Sequence, residues 1–150
     1  MRVVLQRCKD AELRINNSIH SSIGKGILVL VGIENEDTYT DIEWLSGKIS
    51  RLRIFNDEND KMNLSVQDIE GEIMIVSQFT LFASSKKGNR PSYINSAHPD
   101  IAIPLYEKFI EKMKIDSGLN VVTGVFGADM SINLTNDGPV TIIIDSKLKE

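Results

Sequence analysis

The side chains that most often run hydrolysis or hold metals are scarce in this chain. Its 150 residues include one cysteine, Cys8, and two histidines, His20 and His98. A Ser/His/Asp triad needs a histidine base beside the nucleophile, and no motif here supplies one. His20 follows a turn signal at Asn16-Asn17 and His98 precedes a proline, so both are expected at the surface. Cys8 lies in a strand-like run and reads as a small core residue. A single cysteine makes no intramolecular disulfide, and one Cys with two His offers no zinc spacing. Asp57, Glu58 and Asp60 resemble the start of a calcium loop, but the glycine and glutamate that complete it are missing, so they read as a solvated turn. No glycine-rich phosphate loop is present. No metal and no cofactor are expected.

Two segments remain. Ile73–Phe82 reads as a buried-type strand that carries Ser77, Gln78 and Thr80. In unbroken alternation Gln78 and Thr80 share a face with Met74 and Val76. An amide and a hydroxyl buried without partners would cost about 1–3 kcal/mol each. Either the polar groups satisfy backbone at a strand end, or they line a site. The second segment is Asn136-Asp137-Gly138-Pro139-Val140-Thr141. Its turn chemistry suits a hairpin joining Met130–Leu134 to Val140–Ile144. A Gly-Pro bond also takes the cis form at modest cost, which would orient two carbonyl oxygens as a rigid acceptor pair.

The elements that must position these segments follow from periodicity. Residues 2–8 read as a strand, and Ala11, Leu13 and Ile15 alternate with polar neighbours. Asn16-Asn17 turns the chain into Ser18–Ile23, and Gly24-Lys25-Gly26 turns it into the apolar run Ile27–Ile33. Asp37 or Thr38 caps a helix with Ile42, Leu45, Ile49 and Leu52 at helical spacing. A second helix, with Leu105, Phe109 and Met113 on one face, runs to about Lys114. Proline is harmless only among the first four helical residues, so Pro104 favours Asp100 as the N-cap over a start at Pro99. Val121–Val125, Met130–Leu134 and Val140–Ile144 complete the strands. The fold class is α+β, a mainly antiparallel sheet or barrel with two principal helices, in one domain spanning residues 1–150.

Composition bounds the rest. A 41% hydrophobic and 25% charged chain is globular. The formal net charge of −4 argues against a protein that coats DNA or RNA, yet leaves room for grasping one end of a nucleic acid. Arg7 interrupts the apolar N-terminus before a signal-peptide core forms. A membrane span needs about 20 apolar residues, and no run approaches that. A soluble, cytoplasmic protein in a reducing compartment is expected.

The two segments and their order resemble the D-aminoacyl-tRNA deacylases, also called D-tyrosyl-tRNA deacylases. Ser77-Gln78-Phe79-Thr80-Leu81 is similar to the family's first signature and Asn136-Asp137-Gly138-Pro139-Val140-Thr141 to its second. The likeness runs along the whole chain through Gln6-Arg7, Arg53-Ile54-Phe55, Lys61-Met62-Asn63-Leu64, Arg90-Pro91-Ser92 and Phe126-Gly127-Ala128-Asp129-Met130. No signature position departs from the pattern.

The resemblance implies hydrolysis of the ester between a D-amino acid and the 3′-terminal adenosine of tRNA. It implies a homodimer with the site at the interface and a cis Gly138–Pro139 dipeptide entering the neighbouring subunit. By match, Ser77, Gln78, Phe79 and Thr80 line the reaction centre, and Arg7, Met130, Asn136, Gly138 and Pro139 serve substrate binding, with Arg7 orienting the dipeptide. A site that reads chirality by exclusion also admits glycine. Phe79 and Thr80 N–H groups are the candidate oxyanion donors. The Thr80 hydroxyl is the alternative nucleophile, but it needs a base that no motif supplies. Lys86, Lys87 and Arg90 are either a solvated loop or the local grip on the RNA end. Two other classes stay open: an RNA-end or amino-acid binding module without turnover, and an editor of a wrong L-aminoacyl-tRNA.

Overall fold

The structure is a computed structural model that describes residues 1–150. The chain runs β1 (Arg2–Ile15), β2 (Ser18–Ile23), β3 (Gly26–Gly32), α1 (Tyr39–Arg51), β4 (Phe55–Asn56), β5 (Met62–Leu64), β6 (Glu72–Ser77), a 3-10 turn (Phe79–Phe82), α2 (Pro99–Ser117), β7 (Val121–Thr123) and β8 (Ser131–Asp145). The main sheet has the order β2-β1-β3-β6-β7, and β8 also pairs with β1. β1 is antiparallel to β2, β3 and β8, whereas β3–β6 and β6–β7 are parallel. Parallel neighbours need long crossovers, and the two helices lie in those crossovers. The class is α+β with a mainly antiparallel, barrel-like sheet, as the periodicity implied. The Ser21 hydroxyl donates to the Thr123 carbonyl at 3.1 Å, which holds β2 beside β7 and curls the sheet. No helix is long and apolar enough to cross a membrane.

Alternation explains the two cores. Val3, Leu5, Ile27, Val29, Val31, Ile73 and Ile75 pack on the helix-facing side with Ile42, Leu45, Ile49, Tyr106, Phe109 and Met113. Cys8, Ala11, Leu13, Leu28, Met74 and Val76 pack on the other side. Each fully buried aliphatic or aromatic side chain contributes about 1.5–3 kcal/mol. In β1 the odd residues 3 and 5 face one core, whereas the odd residues 11 and 13 face the other. The register slips against β8 between Gln6 and Cys8 and between Cys8 and Asp10, and such slips reverse the faces of a strand. Asn16 and Asn17 both have positive φ (50° and 63°), which is why a two-residue turn closes β1–β2.

Four expectations from periodicity are corrected. The strand from Ile73 stops at Ser77, and Phe79–Phe82 form a 3-10 turn, so Gln78 and Thr80 leave the alternation. The helix preferred with Asp100 as cap instead begins at Pro99, with His98 as N-cap, and runs to Ser117. Pro99 occupies the favoured first position. Pro104 is then the sixth helical residue and forgoes one internal bond, a loss that packing of Ala102, Tyr106 and Phe109 offsets. β7 ends at Thr123 rather than Val125. Residues 130–144 form no hairpin: Ser131–Asp145 is one strand whose two halves both pair with β1.

Thr38 is the N-cap of α1, and the Asp41 carboxylate accepts from the Thr38 N–H at 2.8 Å. The other candidate cap, Asp37, instead accepts from the buried amino group of Met1. That amino group also reaches Ser146 Oγ at 2.9 Å, and Ser146 Oγ donates to Asp41 at 2.7 Å. Lys147 Nζ adds a bond to Asp41 at 2.9 Å. One polar cluster thus joins the start of β1, the start of α1 and the segment after β8.

Burial pushes the Asp41 carboxyl up, but the hydrogen bonds from Lys147, Ser146 and Thr38 together hold it well below its ordinary 3.8. A depressed folded value stabilises the fold above the unfolded value and is lost as pH falls through the folded one. Asp41→Asn should therefore lower stability at pH 7 by on the order of 1.5–3 kcal/mol. The gap between variant and parent should narrow as pH drops below 3.8. Urea unfolding at pH 7 and pH 3 checks this, and a gap that is equal at both would contradict it.

Candidate active site

The break in the β1–β8 ladder creates the first cluster. Gln6 pairs with Thr141 and Cys8 pairs with Asn136, so Arg7 alone stands opposite the four residues Asp137–Val140. The backbone cannot pair across that mismatch, and the Arg7 side chain bridges it. Its Nε donates to the Asp137 carbonyl at 3.0 Å, and its Nη1 donates to the Ile54 carbonyl at 2.6 Å and to Asn56 Oδ1 at 3.1 Å. The Asp137 carboxylate lies 3.3 Å from Nε, and the guanidinium carbon sits 5.9 Å from the Phe55 ring centroid. Arg7 is 6% exposed, so these oxygens replace the water that a buried cation needs.

The projecting loop is also held from Gln6. Its amide donates to Asn136 Oδ1 and its Oε1 accepts from the Thr141 hydroxyl at 2.8 Å. The Gly138–Pro139 peptide is cis, and both residues are exposed. Gly138 has φ 124°, and a Cβ there would lie 3.1 Å from Arg7 Nη2 and 2.9 Å from Val140, so only glycine fits beside the guanidinium.

The second cluster surrounds a cavity of about 310 Å3. Ser77, Gln78 and Phe79 line it where β6 passes into the 3-10 turn, and Phe126–Met130 line it from the loop before β8. Val31 and Ile33 supply an apolar wall, and Asp129 is the one carboxylate in the lining. The Gln78 N–H donates the last rung of the β3–β6 ladder to the Val31 carbonyl at 2.7 Å, and the chain then tightens into the 3-10 turn. The first internal bond of the turn comes from Leu81 N–H, to the Gln78 carbonyl at 3.2 Å. Phe79 and Thr80 N–H groups precede it and have no acceptor inside the turn.

Phe79 is 54% exposed at the cavity mouth, pinned by an edge-on contact with Tyr93 (5.1 Å between centroids) and by a 2.8 Å bond from Ser96 to its carbonyl. Thr80 is outside the cavity lining, and its hydroxyl accepts from the Gln78 amide. Met130 packs over Gly124, where a Cβ would meet its sulfur.

The structure therefore brings Ser77, Gln78, Phe79 and Met130 to one cavity and Arg7, Asn136, Gly138 and Pro139 to one loop. Within one chain the loop residues are not among the cavity's lining. The sequence reading did not anticipate Tyr93, Ser96, Val31 and Ile33, whose part depends on packing rather than on reactive groups. His20 and His98 are exposed. Cys8 is fully buried, and burial pushes its thiol up to about 11, which removes it as a nucleophile.

Residues 4–145 match the family described as D-Tyr-tRNA(Tyr) deacylase. The chain belongs to that family. The deacylase match extends to close relatives. The chain is 61% identical over 150 residues to a D-aminoacyl-tRNA deacylase of Parabacteroides distasonis, with all of each chain covered. It is 58% identical, again over the full length of both, to one of Flavobacterium johnsoniae. Among solved structures, the c-Myc DNA unwinding element binding protein superposes with a TM-score of 0.90 at 39% identity, covering 97% of this chain and 98% of that one. A probable eukaryotic D-amino acid tRNA deacylase shares the fold with a TM-score of 0.84 at 19% identity, covering 95% and 97%.

Arg7→Ala should leave the Ile54 and Asp137 carbonyls without their charged donor and cost on the order of 3 kcal/mol. Arg7→Lys keeps the charge but not the planar fork, so its loss should be smaller. Hydrogen exchange should quicken first at residues 137–140, and uniform acceleration across the sheet would contradict the local role.

Proposed function

We propose that this chain hydrolyses D-aminoacyl-tRNA to free tRNA and a D-amino acid, acting as a homodimer in the cytoplasm. The observation that carries the reading is the pairing of two features: a small cavity framed by Ser77, Gln78 and Phe79, and an exposed Gly138–Pro139 loop clamped by Arg7 on the same chain. The family match and the full-length likeness to named deacylases support the reaction. An exposed, rigid loop outside its own chain's cavity suits action across a two-fold interface, where it would complete the partner's site.

The chemistry suits a site without an acid–base pair. An aminoacyl ester is already activated. Water attacks its carbonyl carbon, the carbonyl oxygen gains negative charge, and the bond to the ribose 3′ oxygen breaks as that oxygen takes a proton. Phe79 and Thr80 N–H groups would face the developing oxyanion, each donor worth about 2.7–4 kcal/mol. The neighbouring 2′-hydroxyl of the terminal ribose assists the proton transfer. Gly138 and Pro139 would present their carbonyl oxygens to the chiral centre and fill the space an L side chain requires. A D side chain then points outward, and glycine, having no side chain, is not excluded. Lys86, Lys87 and Arg90 lie on the exposed loop after the 3-10 turn, available to the RNA end.

Thr80 contributes its backbone in this scheme. Its hydroxyl is engaged by Gln78, and no histidine or lysine lines the cavity to activate it. Thr80→Ala should keep hydrolysis of D-aminoacyl-tRNA within about tenfold of the parent, because only the side chain is lost. Substrate lacking the terminal 2′-hydroxyl should lose about 100-fold or more, the range of a removed proton-transfer group. An acyl-enzyme trapped on Thr80 would reverse the assignment. Release of an L-amino acid in preference to its D-enantiomer would support the L-editing alternative, and release of neither would support the binding module.

Light scattering should give twice the 16.8 kDa chain mass at micromolar concentration. A monomer that hydrolyses D-aminoacyl-tRNA at full rate would remove the trans loop.

A further inference from the structure

Three cations near the end of α1 make no ion pair within the chain. Lys48 and Arg51 end α1 and Arg53 follows it, and all three are exposed. With Trp44 they line an open groove of about 420 Å3, floored by Gly47, in which Glu43 is the one acid. Trp44, Lys48 and Arg51 recur at helical spacing and so form one stripe. Lys48 Nζ lies 5.4 Å from the Trp44 ring centroid. Arg2, Arg14, Lys112 and Lys147 are ion-paired, but Lys48, Arg51 and Arg53 are not. The only polar partner of the Arg53 side chain is Asn63, at 3.3 Å. A chain of net charge −4 thus gathers three cations, none in an ion pair, beside an indole.

The position of the groove is informative. The Arg7 guanidinium joins the Ile54 carbonyl at 2.6 Å to the Asp137 carbonyl at 3.0 Å. Arg53, next in sequence to Ile54, is therefore tied through the Arg7 guanidinium to the loop that carries Gly138 and Pro139. We infer that this groove grips the phosphate backbone of the RNA stem whose aminoacylated end occupies the partner subunit's cavity. The inference rests on the dimer reading above: a protomer that inserts its loop into its partner's site brings its own α1 groove to the mouth of that site.

Lys and Arg side chains position a duplex through its phosphates, and A-form RNA is held mainly by shape and backbone. An acidic protein surface would meet the same charges. RNA is favoured because Arg53 of the groove adjoins Ile54, which Arg7 ties to the loop assigned to the substrate's end, where a stem must leave the cavity.

The test is equilibrium binding to two RNAs that carry no amino acid: a hairpin with a paired stem ending in CCA, and a single strand ending in CCA. Lys48→Glu/Arg51→Glu should weaken hairpin binding about tenfold or more and reduce its salt slope by about two. The single strand should lose far less. Lys108→Glu/Lys114→Glu, an equal charge change on exposed positions of α2, is the control and should bind the hairpin like the parent. Hairpin affinity and salt slope unchanged in the groove variant would overturn the inference. So would equal losses for both RNAs, or an equal loss in the control, since either outcome reports net charge alone. No hydrolysis of D-aminoacyl-tRNA by the parent would instead defeat the proposed function. The binding assay involves no chemistry, so the two failures are separable.

Discussion

The architecture depends on one long antiparallel ladder, β1 against β8, and on the single place where it fails. Pairing holds from Arg2–Asp145 to Gln6–Thr141 and resumes at Cys8–Asn136. Between those pairs one residue faces four. Backbone groups freed in a sheet interior must find other partners or bear a desolvation cost. Here the freed Asp137 carbonyl finds a side chain, and that side chain carries a charge. A second slip, where Cys8 and Asp10 face the adjacent residues Asn136 and Thr135, reverses the faces of β1, which lets one strand serve the helix-facing core with Val3 and Leu5 and the other core with Cys8, Ala11 and Leu13.

Burying Arg7 has consequences beyond the loop. A guanidinium has five donors and no tolerance for an apolar shell. Its bonds reach two segments far from it in sequence: Ile54 and Asn56 in one, and Asp137 in the other. The β4–β5 hairpin and the β8 bulge are consequently held to one another through β1. The proposed chiral filter is thus made of backbone, positioned by a charge that takes no part in bond breaking. The proposed oxyanion donors are backbone as well, released by the change from strand to 3-10 turn after Ser77. A site built this way explains why a search for histidines, paired carboxylates or metal ligands finds so little.

Much of the fold was legible because it rests on local signals. The Asn16-Asn17 turn, the apolar runs of β3 and β6 and the helical spacing of Ile42, Leu45 and Ile49 depend on near neighbours. The misreadings share a different cause. Ile73–Phe82 reads as one buried-type strand with Ser77, Gln78 and Thr80 inside it, and nothing in its pattern announces that the chain tightens into a 3-10 turn at Phe79. Asn-Asp-Gly-Pro is as good a hairpin turn as it is a bulge, and the choice lies with β1, more than a hundred residues earlier. The start of α2 turned on a rule about proline, and helix packing against the sheet outweighed the one bond lost at Pro104.

By itself the sequence determined the class of fold, the absence of familiar catalytic groups and, through two signature segments, the family. These follow from residue types and spacing, which local sterics and burial translate directly into elements. Only the tertiary structure decided that the cavity lined by Ser77–Phe79 excludes Gly138 and Pro139 of the same chain, that Arg7 holds their loop through the Asp137 carbonyl while also bonding Ile54 and Asn56, and that Lys48, Arg51 and Arg53 share one groove. Those relations come from strand register and from the need to satisfy a buried charge. Both are set by partners distant along the chain, so no window of the sequence contains them.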